Sequence, residues 1–124
     1  MLDSVKIKVC GLTRLEDVQL ALSLGADFCG FIVYPDSPRA VSLDYAAELA
    51  SHVPEGKRVL VDVGTSTNWL KHMHSSCFDF YQIHVNADVD KSILTTISET
   101  LGKDRLWLAP RLSSKDFFPK EFII

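Results

Sequence analysis

A chain of 124 residues, 47% hydrophobic and 23% charged, has the composition of a globular domain and is long enough to bury one core. Its formal charge of −3 and sequence pI of 5.7 argue against nucleic acid as a partner, which needs a basic excess or stripe, and favour small molecules or proteins. No apolar run approaches the roughly 18 residues of a membrane span, and Met1-Leu2-Asp3-Ser4 lacks the basic and apolar regions of a secretory leader. No membrane partner is therefore expected. The three cysteines, Cys10, Cys29 and Cys77, are widely spaced; they read as thiols in a reducing, cytoplasmic compartment rather than as a disulfide framework.

In chain order, Val5 to Val9 reads as a strand. Thr13 with Glu16 fits a capping box that opens helix 1, with Leu15, Val18, Ala21 and Leu22 as its apolar stripe and Gly25 as its left-handed stop. Phe28 to Tyr34 is almost wholly apolar, the pattern of a strand buried on both faces of a parallel sheet. The loop Tyr34-Pro35-Asp36-Ser37-Pro38-Arg39 is restricted by two prolines. It leads to a second helix, capped by Ser42, with Tyr45, Ala46, Leu49 and Ala50 as apolar positions. Strand 3 is expected at Arg58 to Val63, helix 3 at Asn68 to about Ser76, and strand 4 at Phe80 to Val85. Helix 4 is expected at Asp88 to Leu101 on Ile93, Leu94, Ile97 and Leu101, and strand 5 at Leu106 to Ala109. A last helix can start at Ser113 or Ser114 but meets Pro119, and the chain ends on the apolar Phe122-Ile123-Ile124, which reads as a cut within a domain.

Five β-α units in a row imply an α/β fold with a parallel sheet. It is either an open doubly wound sheet or part of a (β/α)8 barrel, which normally needs at least about 200 residues. The first turn carries no G-x-G-x-x-G, so a dinucleotide site lacks its main sequence evidence.

Lys8-Val9-Cys10-Gly11-Leu12-Thr13, Leu15-Glu16-Asp17, Gly25-Ala26-Asp27, Gly30-Phe31 and Tyr34-Pro35-x-Ser37-Pro38-Arg39-x-Val41-Ser42 together resemble the phosphoribosylanthranilate isomerase family of tryptophan biosynthesis. Gln82-Ile83-His84-Val85 continues the resemblance with valine where the family has glycine, and Asp62-Val63-Gly64 replaces the more usual Phe-Val-Asn. The resemblance implies a single domain over residues 1–124 that is the N-terminal part of a (β/α)8 TIM barrel. It also implies an Amadori rearrangement of a phosphosugar-anthranilate substrate with no metal and no organic cofactor. An acid protonates the furanose ring oxygen, the ring opens to a Schiff base, and a base removes the C2 proton to give an enolamine that tautomerises. By position Cys10 would be the base and Arg39 would face the anthranilate carboxylate, which suits its planar fork of donors. The family's acid is an aspartate at the end of strand 6 and its phosphate cradle follows strands 7 and 8. The sequence ends before these, so the isolated chain is expected to be inactive.

Each candidate also has a plainer reading. A cysteine base must be ionised near neutral pH, which calls for a nearby cation, and Lys8 shares the strand face of Cys10 by its i, i+2 spacing. A small buried cysteine is the commoner fate of a lone thiol. Arg39 can be a solvated loop arginine. Gln82 and His84 share one face at the end of a strand and so suggest a pocket for substrate, yet a hydrogen-bonded structural histidine is the alternative. His72, Met73, His74 and Cys77 invite a metal, but two histidines two apart on a helix point away from each other. Cys29, Trp69 and Trp107 are assigned to packing, and Asp44, Glu48, Asp88, Asp90 and Glu99 to solvated helix faces.

Five strands of a barrel would leave strands 1 and 5 as unpaired edges, so a homo-oligomer or a complementing C-terminal half is the expected protein partner. The departures at Asp62-Val63-Gly64 and Val85 also fit a degenerate, non-catalytic binding or assembly module, and an open α/β sheet would fit a different phosphosugar enzyme.

Overall fold

β1 (Lys8–Val9), β2 (Phe28–Ile32), β3 (Arg58–Val63), β4 (Phe80–Asn86) and β5 (Leu106–Arg111) alternate with α1 (Leu15–Ser23), α2 (Leu43–Ala50), α3 (Thr67–His74) and α4 (Lys91–Leu101). The computed structural model describes residues 5–64, 67–74 and 77–111. The expected last helix from Ser113 or Ser114, Pro119, the apolar end at Phe122 to Ile124, and the side chain of His74 lie outside the described residues. All four strand pairs are parallel, in the order β1-β2-β3-β4-β5. Strict sequential order excludes the open doubly wound sheet, whose strand order reverses at a switch point, and is the order of consecutive units in a (β/α)8 barrel.

The sheet is curved. Phe28 on β2 and Trp107 on β5 stack edge to face with ring centroids 5.0 Å apart, although strands three apart in a flat sheet lie about 14 Å from each other. Lys8 on β1 likewise reaches Gln82 on β4 at 2.7 Å. The result is a half-barrel with helices on its convex side. Alternation along the strands sorts residues between the two faces. Cys29, Phe31, Leu60, Tyr81, Ile83 and Leu106 join Val18, Leu49, Leu70 and Ile97 of the helices in the main core, while Ile32, Val59 and Val61 form a second cluster with Phe28, Phe80 and Trp107 on the concave side. Both faces of β2 are thus covered, as its unbroken apolar run predicts.

Several element ends differ from expectation. β1 is two residues long rather than five, because pairing with β2 begins at Lys8 opposite Phe28. The backbone of Ile7 instead binds Asp27: its N–H donates to Asp27 Oδ2 (2.9 Å), and its carbonyl accepts from the amides of Asp27 (2.8 Å) and Phe28 (3.1 Å). The Thr13–Glu16 capping box does not form. Arg14 occupies the cap position with no side-chain cap bond, its guanidinium pairing with Asp17 at 3.2 Å and Glu16 at 3.5 Å, and the Thr13 carbonyl accepts from Tyr45 Oη at 3.1 Å. The other end of α1 is as expected. Gly25, at φ +95°, donates to Leu22 O (3.1 Å) and Ala26 to Ala21 O (3.0 Å), the paired bonds of a Schellman motif. α4 starts at Lys91 rather than Asp88, because Asp90 caps it through the Ser92 amide at 2.9 Å, so Asp90 is a capping group and not merely a solvated charge. Ile93 is 48% exposed, off the buried stripe of Leu94, Ile97 and Leu101. β5 runs on through Pro110 to Arg111, which a proline allows because β5 has a strand on one side only among the described residues.

Candidate active site

Strands β1 and β4 and the loops after β1 and β2 bring all five sequence-predicted residues, Lys8, Cys10, Arg39, Gln82 and His84, to one region of the concave face. After β1 the chain turns at Gly11 (φ +79°), and the amides of Gly11 (3.0 Å) and Leu12 (3.1 Å) both donate to Gly30 O on β2. The two-proline loop folds back on itself. Ser37 N donates to Tyr34 O (3.0 Å), Arg39 N to Ser37 Oγ (3.2 Å) and Ala40 N to Ser37 O (3.1 Å), and Val41 N rejoins Ile32 O at 2.8 Å. This loop carries Arg39 over the end of β1, where Nη1 donates to Cys10 O at 3.2 Å. The guanidinium lies flat against Gly11: a Cβ there would fall 2.5 to 2.8 Å from Arg39 Nη1, Cζ and Nε. Glycine at this point serves both the left-handed turn and the close approach of the arginine.

Gly30 is the corresponding seat one strand over. A Cβ on it would lie 3.0 Å from Lys8 Cε and 3.3 Å from Cys10 Sγ, so the lysine stem and the thiol lean over the same point of the concave face. Lys8 Nζ continues across to Gln82 Oε1 (2.7 Å), and Gln82 Nε2 lies 2.9 Å from His84 Nε2. The imidazole is pushed toward its neutral form. Burial is the largest cause, followed by the positive charges of Lys8 and of Arg111 at the end of β5. Chemically the set offers a thiol, an imidazole held neutral, and two cations with no carboxylate among its members, an arrangement suited to an anionic ligand and to proton transfer beside it.

The motifs point to these five candidates but not to their seats and neighbours. Gly11 and Gly30 were visible as glycines, but what packs on them depends on residues far along the chain. Arg111 lies beyond Pro110, past the expected end of strand 5 at Ala109. A cavity of about 720 Å³ opens beside the site between the β2–α2 and β3–α3 connections, walled by Val33, Tyr34, Val41, Asp62, Val63 and Trp69 among others. Asp62, 4% exposed, is the one buried charged residue among the described residues. Among the described residues no three His, Cys, Asp or Glu side chains converge, and the side chain of His74 lies outside the described residues.

The family model of N-(5'-phosphoribosyl)anthranilate (PRA) isomerase matches residues 7–117. The isomerase of Zymomonas mobilis is 33% identical over 107 residues, 86% of this chain and 50% of that protein. That of Methanothermobacter marburgensis is 55% identical over 64 residues, 52% of this chain and 28% of that protein. Among solved structures, a phosphoribosylanthranilate isomerase in complex with reduced 1-(o-carboxyphenylamino)-1-deoxyribulose 5-phosphate superposes with TM-score 0.70 at 28% identity, covering 86% of this chain and 52% of that one. A monomeric form of the Thermotoga maritima enzyme superposes with TM-score 0.72 at 27% identity, covering 90% and 56%. The chain spans about half the length of these structures and half or less of the two sequence relatives. With a sequential parallel half-barrel, the Cys10 and Arg39 loops at its C-terminal end and a family match over most of its length, the chain belongs to the N-(5'-phosphoribosyl)anthranilate isomerase family.

Proposed function

We propose that this chain supplies the N-terminal half of a phosphoribosylanthranilate isomerase site, acting in tryptophan biosynthesis in the cytoplasm, and that residues 1–124 are one incomplete barrel domain. The observation that carries this is the contact of Arg39 with the Cys10 carbonyl over Gly11, because it sets the proposed carboxylate clamp beside the proposed base. In the reaction an acid gives a proton to the furanose ring oxygen and the C1–O bond breaks to leave a Schiff base. Cys10 then takes the C2 proton, and the enolamine shifts its proton to give the ketose. Arg39 holds the anthranilate carboxylate with a planar pair of donors. Lys8, Gln82 and His84 bind the sugar portion of the substrate. The ligand of the related complex carries a carboxyphenylamino group and a 5-phosphate. No metal or organic cofactor enters these steps.

The acid and the phosphate cradle have to come from outside the described half-barrel, so the chain by itself is inactive and works with a complementing C-terminal half. Two features support such a partner. β1 and β5 each have a neighbour on one side only among the described residues, and Val5 and Ile7 beside β1 are each 55% exposed, with Leu24 at the C-cap of α1 at 77%. A second copy of the chain could cover the same edges in a homo-oligomer. A non-catalytic binding or assembly module is the second reading, favoured by the departures at Val85 and at Asp62-Val63-Gly64, the latter three lining the cavity. The test is turnover of phosphoribosylanthranilate by the chain alone and after mixing with a segment supplying the remaining β-α units of the family. The proposal expects none alone, activity on mixing, and a loss of roughly 100-fold or more for Cys10→Ala in the mixture. Turnover by the chain alone refutes the half-site, and a folded, associated mixture without turnover supports the binding module instead.

A further inference from the structure

The contacts of Gln82 determine the protonation pattern of His84. An ammonium has donors only, so the 2.7 Å contact with Lys8 Nζ requires the carbonyl end of the Gln82 amide on that side. The NH2 end then faces His84 Nε2 at 2.9 Å, and it too has donors only. A ring nitrogen met by a donor must accept, so Nε2 carries no proton and the neutral ring holds its hydrogen on Nδ1. We infer that Gln82 is a positioning residue which, anchored by Lys8, holds His84 as the neutral Nδ1–H tautomer.

The surroundings act in the same direction. The charged groups that bear on the ring are Lys8 on β1 and Arg111 on β5, both cationic, and Gln82 is its uncharged neighbour on β4. Protonating Nε2 would break the bond from Gln82 and set a third positive charge beside these two. The use of this tautomer rests on the isomerase reading. A phosphosugar-anthranilate presents mainly oxygen acceptors, and a neutral ring with its hydrogen on Nδ1 can donate to one of them while Nε2 stays anchored.

The inference is tested on the chain labelled with 15N at histidine, by two-bond 1H–15N correlation spectra near neutral pH. His84→Asn identifies the signal among the 4 histidines. The parent chain is expected to show the Nδ1–H form of His84 in roughly five- to tenfold excess, the bias one hydrogen bond supplies. In Gln82→Glu a carboxylate accepts where an amide donated, so the Nε2–H form predominates and the ring titrates at higher pH. In Lys8→Met the amide is free to turn over, and the excess shrinks. A parent chain with His84 in the Nε2–H form or protonated overturns the inference, as does a ratio unchanged in both variants. The tautomer with no turnover in the completed barrel would break only the isomerase reading; turnover without the tautomer would break only this inference.

Discussion

At the N-terminal end of the sheet Asp79 accepts four hydrogen bonds, from Gly56 N (2.8 Å) and from Arg58 N (3.0 Å), Nε (2.9 Å) and Nη2 (2.9 Å). At the C-terminal end Lys8, Gln82 and His84 share two contacts, and Arg39 gives one donor to Cys10 O. The first cluster closes on itself: a bidentate guanidinium and a carboxylate, each less than one-fifth exposed, saturate one another across β3 and the start of β4. The second holds more donors than acceptors and no carboxylate. Polar groups that fasten a fold consume each other's capacity, whereas a set built for a ligand leaves some of it over. Between them lie the apolar layers, so one end can be altered with little effect on the other.

The largest stability effect should come from the closed end. Asp79→Ala removes all four bonds and leaves Arg58 partly buried without its partner, a loss of about 3 kcal/mol, or a fall in Tm on the order of 10 °C for a domain of this size. Lys8→Met at the open end should cost at most about 1 kcal/mol. Thermal unfolding of the two variants side by side checks this, and equal losses would erase the distinction between the ends.

Acid titration separates the same clusters by pH. Burial opposes ionisation of Asp79, but the bonds from Arg58 and Gly56 outweigh it and leave its carboxyl below the usual 3.8. The unfolded chain then binds that proton more readily, so the contribution of Asp79 is fully present above about pH 4 and is lost as pH falls through the folded value. His84 is held below 6.5, first by burial and then by Lys8 and Arg111. The unfolded histidine therefore takes up a proton first, and stability starts to decline as pH drops below 6.5. Denaturant midpoints measured against pH should show both limbs, the upper one absent in His84→Asn and the lower one weakened in Asp79→Ala.

A third comparison isolates the seat of Arg39. Gly11→Ala places a non-glycine residue at φ +79° and drives its methyl into the guanidinium; Gly25→Ala meets the same kind of backbone strain at φ +95° with nothing within 4 Å. Each should lose about 1 to 2 kcal/mol of stability. Gly11→Ala alone should also raise KM in the completed enzyme by roughly tenfold, as a displaced charge-assisted contact would. A similar KM for the two variants would remove Arg39 from the carboxylate site.

The repeating strand-helix order was legible from periodicity, because a buried parallel sheet and its covering helices leave 2- and 3.6-residue patterns. The five candidate residues were legible through the resemblance, Lys8, Cys10 and Arg39 through motifs at two tight loops and Gln82 and His84 through the motif on β4. Element ends were less so. Strand 1 stops short because Asp27 takes over the Ile7 backbone, a contact between residues twenty apart that no local pattern records. Arg111 was hidden behind Pro110, and the direction of the Gln82 amide depends on a lysine 74 residues away.

Helix starts show the smallest effects and the same contrast of closed and open. Ser42 was expected to cap α2, and its Oγ accepts from Tyr45 N at 3.1 Å; Ser42→Ala should cost about 1 kcal/mol. Thr13 was expected to cap α1, yet the helix starts one residue later, Arg14 takes the cap position, and the part of Thr13 that bonds to α2 is its backbone carbonyl. Replacing the hydroxyl leaves that carbonyl in place, so Thr13→Ala should shift stability by less than about 0.5 kcal/mol. Tyr45→Phe, which removes the donor to that carbonyl, should have the larger effect of the two, about 0.5 to 1 kcal/mol. If Thr13→Ala proved as costly as Ser42→Ala, the capping box would have formed after all, and the turn that carries Cys10 and Gly11 into α1 would have to begin one residue earlier.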